Sequence, residues 1–143
     1  MSAVQGYQFV DTNVLVYAHD TTAGAKRDRA ARLLEELWES RLGCLSIQAL
    51  QEFYVTITRK VARPLESSAA AQIVADLSAW RVHAPQARDI LDAIELQRRY
   101  GVAFWDAMIL QSAAYMGCEV AWSEDLNADQ IYDGVRVVNP FDD

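Results

Sequence analysis

Two cysteines, two histidines and two lysines are all that 143 residues provide, and each shortage removes a kind of chemistry. Cys44 and Cys118 sit in apolar contexts, Gly43-Cys44-Leu45 and Gly117-Cys118-Glu119-Val120. They read as reduced core residues, not as a disulfide or a metal pair. His19 and His83 are too few and too isolated for a zinc site or for an acid–base centre built on two imidazoles. Lys26 and Lys60 both come early, so phosphotransfer to an aspartate lacks the late lysine it uses. An aspartyl nucleophile is also usually paired as D-x-D, and position 13 is Asn. No G-x-G-x-x-G or G-x-x-x-x-G-K loop is present to cradle a nucleotide. No run reaches the ~18 apolar residues of a membrane span. Met1 to Gln8 lacks the basic start and apolar run of a signal peptide, so cytoplasmic residence is expected. Repeats, low-complexity segments and linkers are absent too.

What remains is ordinary globular material, 52% hydrophobic and 23% charged, read as one domain over residues 1–143. The net charge of −7 argues at first against a polyanionic partner. Its distribution tempers that: Lys26, Arg27, Arg29 and Arg32 cluster, as do Arg59, Lys60 and Arg63, and Arg98 with Arg99. An acidic site ringed by basic patches has the same total. Taken singly, each cluster reads more simply as a solvated helix face.

Apolar periodicity lays strands and helices out in alternation. Tyr7 to Val10 reads as a strand ending in Asp11, with Thr12 or Asn13 capping a helix through Val14 to Ala18. Ala25 to Arg41 has helical spacing at Ala30, Leu33, Leu34, Leu37 and Trp38, and Leu42-Gly43 closes it. Cys44-Leu45 is a short strand, and Ser46 caps a helix from Ile47 to about Val61 with Leu50, Phe53, Tyr54 and Ile57 as its buried stripe. Ser67 or Ser68 starts a helix to about Trp80, and Arg81-Val82-His83 is a brief strand. Ala87 to Tyr100 is amphipathic, with Ile90, Leu91, Ile94 and Leu96 apolar and Gly101 as its cap. Phe104 opens a helix to about Met116. Strands at Val120–Trp122 and Val135–Val138 finish the chain. The alternation predicts an α/β fold, a three-layer sandwich with a central, mainly parallel sheet flanked by helices.

Four acids sit at similar junctions. Asp11 and Asp125 each follow an apolar strand, and carboxyl ends of parallel strands share one sheet edge, where ligands bind. Asp106 lies in the first turn of a helix, where the dipole favours negative charge. Glu52 lies inside its helix, placed to project beside that edge. Each alone reads as a turn, a cap or a solvated acid. Together they need a counterion, because two carboxylates about 4 Å apart repel by ~4 kcal/mol at a surface-like dielectric. Mg²⁺, or Mn²⁺ in its place, prefers oxygen donors and shares its shell with water and phosphate. Such a quartet suits hydrolysis of a phosphodiester by metal-activated water, with no nucleophilic side chain.

The stretches Phe9-Val-Asp-Thr-Asn-Val-Leu-Val-Tyr-Ala18, Gln51-Glu52-Phe53, Trp105-Asp106-Ala107-Met-Ile-Leu110, Ser123-Glu-Asp-Leu126 and Val138-Asn-Pro-Phe141 resemble, in this order, the PIN-domain family. Within it they look like the VapC-type ribonuclease toxins of toxin–antitoxin pairs. The resemblance implies Asp11 and Asp106 as principal Mg²⁺ ligands, Glu52 as third acid and Asp125 as a fourth. It implies that Thr12 or Asn13, and Ser123, orient those acids. It further implies endonucleolytic cleavage of RNA leaving a 5′-phosphate and a 3′-hydroxyl, a homodimer, and a cognate antitoxin protein covering the site and a nearby apolar groove. One departure is visible: relatives often carry glycine near position 129, where this chain has Asp129, expected to face solvent. The alternative reading is a catalytically silent scaffold of the same fold in a protein or RNA complex. Such scaffolds should lose acids, and this chain keeps all four. The helix from Ile47 is expected to offer Phe53, Tyr54 and Ile57 to a partner.

Overall fold

The computed structural model describes residues 6–142. The expectation that Met1 to Gln8 is no signal peptide therefore falls mostly outside the described residues. In chain order the elements are β1 (Gln8–Val10), α1 (Thr12–His19), α2 (Ala25–Ser40), β2 (Gly43–Ser46), α3 (Ile47–Arg59) and α4 (Ser67–Leu77). There follow β3 (Arg81–His83), α5 (Ala87–Tyr100), α6 (Phe104–Tyr115), β4 (Val120–Trp122), β5 (Ile131–Tyr132) and β6 (Val135–Val138). The strands form one sheet in the order β3-β2-β1-β4-β6-β5. All neighbours are parallel except β5 with β6. The helices flank this sheet, which is the α/β layering expected from the alternation.

Strand order positions the site. The chain winds outward from β1 to β2 and β3, then returns to place β4 on the other side of β1. Gln8, Phe9 and Val10 pair in register with Val120, Ala121 and Trp122, so the two strands end level. The sheet centre is apolar on both faces: Phe9, Val10, Cys44, Leu45, Val120, Ala121 and Val137 are fully buried. Cys44 and Cys118 are free and buried.

Several local readings are corrected. Asp11, not Thr12 or Asn13, is the N-cap of α1, and its carboxylate accepts from the Thr12 N–H. Helix α2 closes on Arg41, which takes the left-handed conformation (φ 62°), and Gly43 lies inside β2. Its glycine is required by crowding, because a Cβ there would stand 2.5 Å from the Trp80 ring. Helices α3 and α4 stop earlier than their apolar patterns suggest, at Arg59 and Leu77, and Glu66 precedes α4 with no side-chain cap. Strand β5 was hidden in Asp129–Asp133, a polar stretch with only two paired residues. On α5 the buried face is Asp89, Ala93 and Leu96, and the apolar Ile90, Leu91 and Ile94 are exposed. On α3, Phe53 and Ile57 are fully buried, whereas Tyr54 is half-buried and shares the outward apolar surface with Ile47 and Val55.

Asp89 faces inward because it joins a buried polar cluster. Its Oδ1 accepts from Gln111 Nε2 at 2.9 Å, and its Oδ2 accepts from the Gln86 N–H at 2.8 Å. His83 Nε2 lies 3.4 Å from Asp89 Oδ2, and His83 Nδ1 lies 2.8 Å from Ser112 Oγ. The cluster joins β3, α5 and α6 through groups that would be costly to bury singly.

Gly43→Ala should destabilise the fold by roughly 1–3 kcal/mol through overpacking against Trp80. Urea denaturation checks this, and an unchanged midpoint would mean the ring moves aside at no cost.

Candidate active site

Asp11 directly follows β1 and Ser123 directly follows β4, so the level ends of these strands bring the two side by side. The Asp11 N–H donates to the Trp122 carbonyl at 2.9 Å, and the Ser123 N–H donates to the Val138 carbonyl at 3.0 Å. The Ser123 hydroxyl donates to Asp11 Oδ2 at 2.8 Å while accepting from the Asp125 and Leu126 N–H groups at 3.2 and 3.3 Å. Asp11 Oδ1 accepts from the Thr12 N–H at 2.7 Å. Asn13 Nδ2 reaches Asp11 Oδ2 at 3.3 Å and Asp125 Oδ2 at 3.1 Å, and Asn13 Oδ1 accepts from the Glu124 N–H at 3.1 Å. Thr12 Oγ1 donates to Glu52 Oε1 at 3.0 Å. Three side chains thus hold the acids in place, each at a position singled out in the sequence.

The four acids line one cleft of about 810 Å³ at the carboxyl edge of the sheet. Asp11 is buried, Asp106 half-buried, and Glu52 and Asp125 exposed. Asp106 occupies the first turn of α6 and has no hydrogen-bond partner among the described residues. Burial pushes the Asp11 carboxyl up to about 6, against the pull of Ser123 and Thr12, and the charges of Asp125 and Asp106 push the same way. Asp106 is raised as well, by burial first and then by Asp125 and Glu52. Mutual repulsion is therefore part of the site.

A family model described as PIN domain matches residues 9–134. The chain belongs to the PIN-domain family. This PIN chain is similar in structure to Mycobacterium tuberculosis VapC20, a sarcin-ricin loop cleaving toxin, at 22% identity and a TM-score of 0.61. That match covers 80% of this chain and 86% of VapC20. It is also similar to a chain of a toxin–antitoxin complex from Klebsiella pneumoniae, at 22% identity and a TM-score of 0.68, covering 94% of this chain and 98% of that one. At such identity the likeness is one of fold. No curated protein sequence matches the chain.

The donors of this PIN site suit a hard divalent cation: they are oxygens only, and their charges press on one another. Among the described residues no three acids, histidines or cysteines close around one point. Mg²⁺ does not require that, since it keeps several waters and takes few carboxylates.

Sequence reasoning overlooked the flank of the cleft. Tyr17 Oη donates to Glu124 Oε1 at 2.7 Å, and Lys26 pairs with Glu124 while lying over the Tyr17 and Phe141 rings. Lys26 was visible only as one member of a basic run. Lys60 and Trp105 also line the cleft. Asp129 is exposed, near Arg136 at 3.7 Å, and holds φ 67°, a left-handed angle that explains a glycine preference nearby. Among the described residues no helix is long and apolar enough to cross a membrane.

Two outcomes follow from Asp11. Because its carboxyl is raised in the fold, the fold favours the protonated form. The stability this brings is complete below about pH 4 and is lost as pH rises through about 6. In EDTA, Asp11→Asn should abolish a loss approaching roughly 3 kcal/mol between pH 4 and 7. Parallel urea titrations of both proteins measure the difference, and superimposable pH profiles would clear Asp11 of the effect. Ser123→Ala should destabilise by about 1–3 kcal/mol, since two N–H groups and a buried carboxylate lose their partner. Thermal unfolding reads that loss, and a neutral outcome would mean water replaces the hydroxyl.

Proposed function

We propose that this PIN chain is a Mg²⁺-dependent endoribonuclease and the toxin of a toxin–antitoxin pair, with Mn²⁺ able to substitute. The observation that carries this is the acidic cleft itself. Asp11, Glu52, Asp106 and Asp125 come from four separate places in the chain and repel one another at a topological switch point. A cluster that opposes its own ionisation makes sense as half of a site completed by a cation. When bound, Mg²⁺ supplies a more acidic water and positive charge against the attacked phosphate. Asp11 and Asp106 are its principal holders, with Glu52 and Asp125 beside them. Ser123 and Asn13 fix the angle of the Asp11 carboxylate, Asn13 also holds Asp125, and Thr12 holds Glu52. Lys26 and Tyr17 keep Glu124 occupied, so it does not compete for the ion.

The toxin reading is supported by the family and by two structures of like fold, one of a cleaving toxin and one of a toxin–antitoxin complex. A cognate antitoxin would lie on the apolar groove of about 490 Å³ between α3 and α4, lined by Ile47, Leu50, Tyr54, Val55, Ala71 and Val74. A homodimer and cytoplasmic residence belong to the same reading. Pooled RNA should be cut by the wild type with Mg²⁺ or Mn²⁺ and left intact in EDTA. Asp11→Asn and Asp106→Asn should each cost roughly 100-fold or more, at or beyond the upper end of what losing an outer-sphere partner costs. A folded Asp11→Asn protein that cuts at the wild-type rate would end the assignment.

A further inference from the structure

The cleft poses a binding problem that its charges do not solve. Asp11, Asp20, Glu52, Asp106, Glu124 and Asp125 line it, against Lys60 as the one basic residue there among the described residues. Glu124 is offset by Lys26, but the remainder repels a phosphate backbone. Cations placed by the acids answer that only at the phosphate being cut. Neighbouring nucleotides need an attraction that does not depend on charge.

Trp105 has the chemistry and the place for it. It immediately precedes Asp106 in the first turn of α6 and lines the same cleft. The residue is 64% exposed, an unusual state for the largest aromatic residue. It is nevertheless held in place: its carbonyl accepts from Gln48 Nε2 at 3.3 Å, and its ring meets Phe104 edge to face at 5.0 Å. Tyr17, the other aromatic residue of the cleft, is half-buried with its hydroxyl committed to Glu124. We infer that Trp105 is a substrate-positioning residue, a platform on which the base next to the scissile phosphate stacks. This rests on the nuclease reading and assigns one residue of this chain to holding the substrate beside the acids. A base in a duplex already has its faces covered, whereas a base in a loop presents one to the indole. Because stacking is indifferent to base identity, Trp105 selects for strandedness more than for sequence.

The test uses the Asp11→Asn protein, expected to leave oligonucleotides uncut, with labelled single strands of about a dozen A, C or U nucleotides and a duplex of the same length. Single strands should quench tryptophan fluorescence and bind more tightly than the duplex. Trp105→Leu should weaken single-strand binding roughly 5- to 100-fold, the range for one stacked base, while Trp105→Phe retains most of it. In otherwise wild-type protein, Trp105→Leu should raise KM with little change in kcat. Equal affinity for duplex and single strand overturns the inference. So does a Trp105→Leu protein that binds and cuts like its parent, which would assign the ring to a protein contact and leave the nuclease intact. Trp105-dependent binding by a protein that cuts no RNA would instead sink the nuclease reading and leave the platform standing.

Discussion

The parallel pairing of β1 with β4 is the constraint from which the site follows. Register between Val10 and Trp122 puts Asp11 and Ser123 abreast, and the hydroxyl-to-carboxylate bond between them is available only because the strands end level. Asp125 follows two residues after Ser123 and is steered by the same hydroxyl through its N–H. Asn13 then spans the gap from the β1 side. A slip of one residue between these strands would turn Ser123 to the opposite face and dissolve the arrangement. The backbone of two short, buried strands thus sets the geometry of a polar site.

The balance of energies explains why so many donors converge there. A carboxylate taken out of water needs hydrogen bonds, and Asp11 receives three, from Thr12, Asn13 and Ser123. Those donors do not suffice, since burial and neighbouring acids still drive its carboxyl toward protonation. The fold therefore tolerates a local conflict of the kind a bound cation would relieve. Local cost at a functional place, compensated elsewhere by a well-packed sheet, is the usual pattern.

Much of this was legible from sequence. Short apolar runs between helical patterns announced the parallel sheet, and acids following those runs announced the edge where they gather. Thr12, Asn13 and Ser123 were readable as orienting groups through the family pattern, although Asp11 itself caps α1. Other features needed three dimensions. Burial of Asp89 and exposure of Ile90, Leu91 and Ile94 invert the apolar rule on α5, because a hydrogen-bonded polar cluster claims the inward face. The ion pair of Lys26 with Glu124 joins residues far apart in the chain, and no periodicity encodes it. Strand β5 has too few residues to show an alternation. Trp105 stood in the family pattern beside Asp106 with no role of its own, and its exposure in the cleft is what marks it out.

The buried cluster of His83, Asp89, Gln111 and Ser112 has a consequence for the opposite end of its helix. From Ala107 through Ala113, α6 is buried on every side and mostly apolar. Such a rod could turn about its axis and exchange one greasy face for another at little cost. Gln111 and Ser112 are the polar exceptions, and each has its own partner, on α5 and β3 respectively. They act as a key in a shaft. With the azimuth of α6 locked there, Asp106 is presented to the cleft at one angle, from more than a turn away.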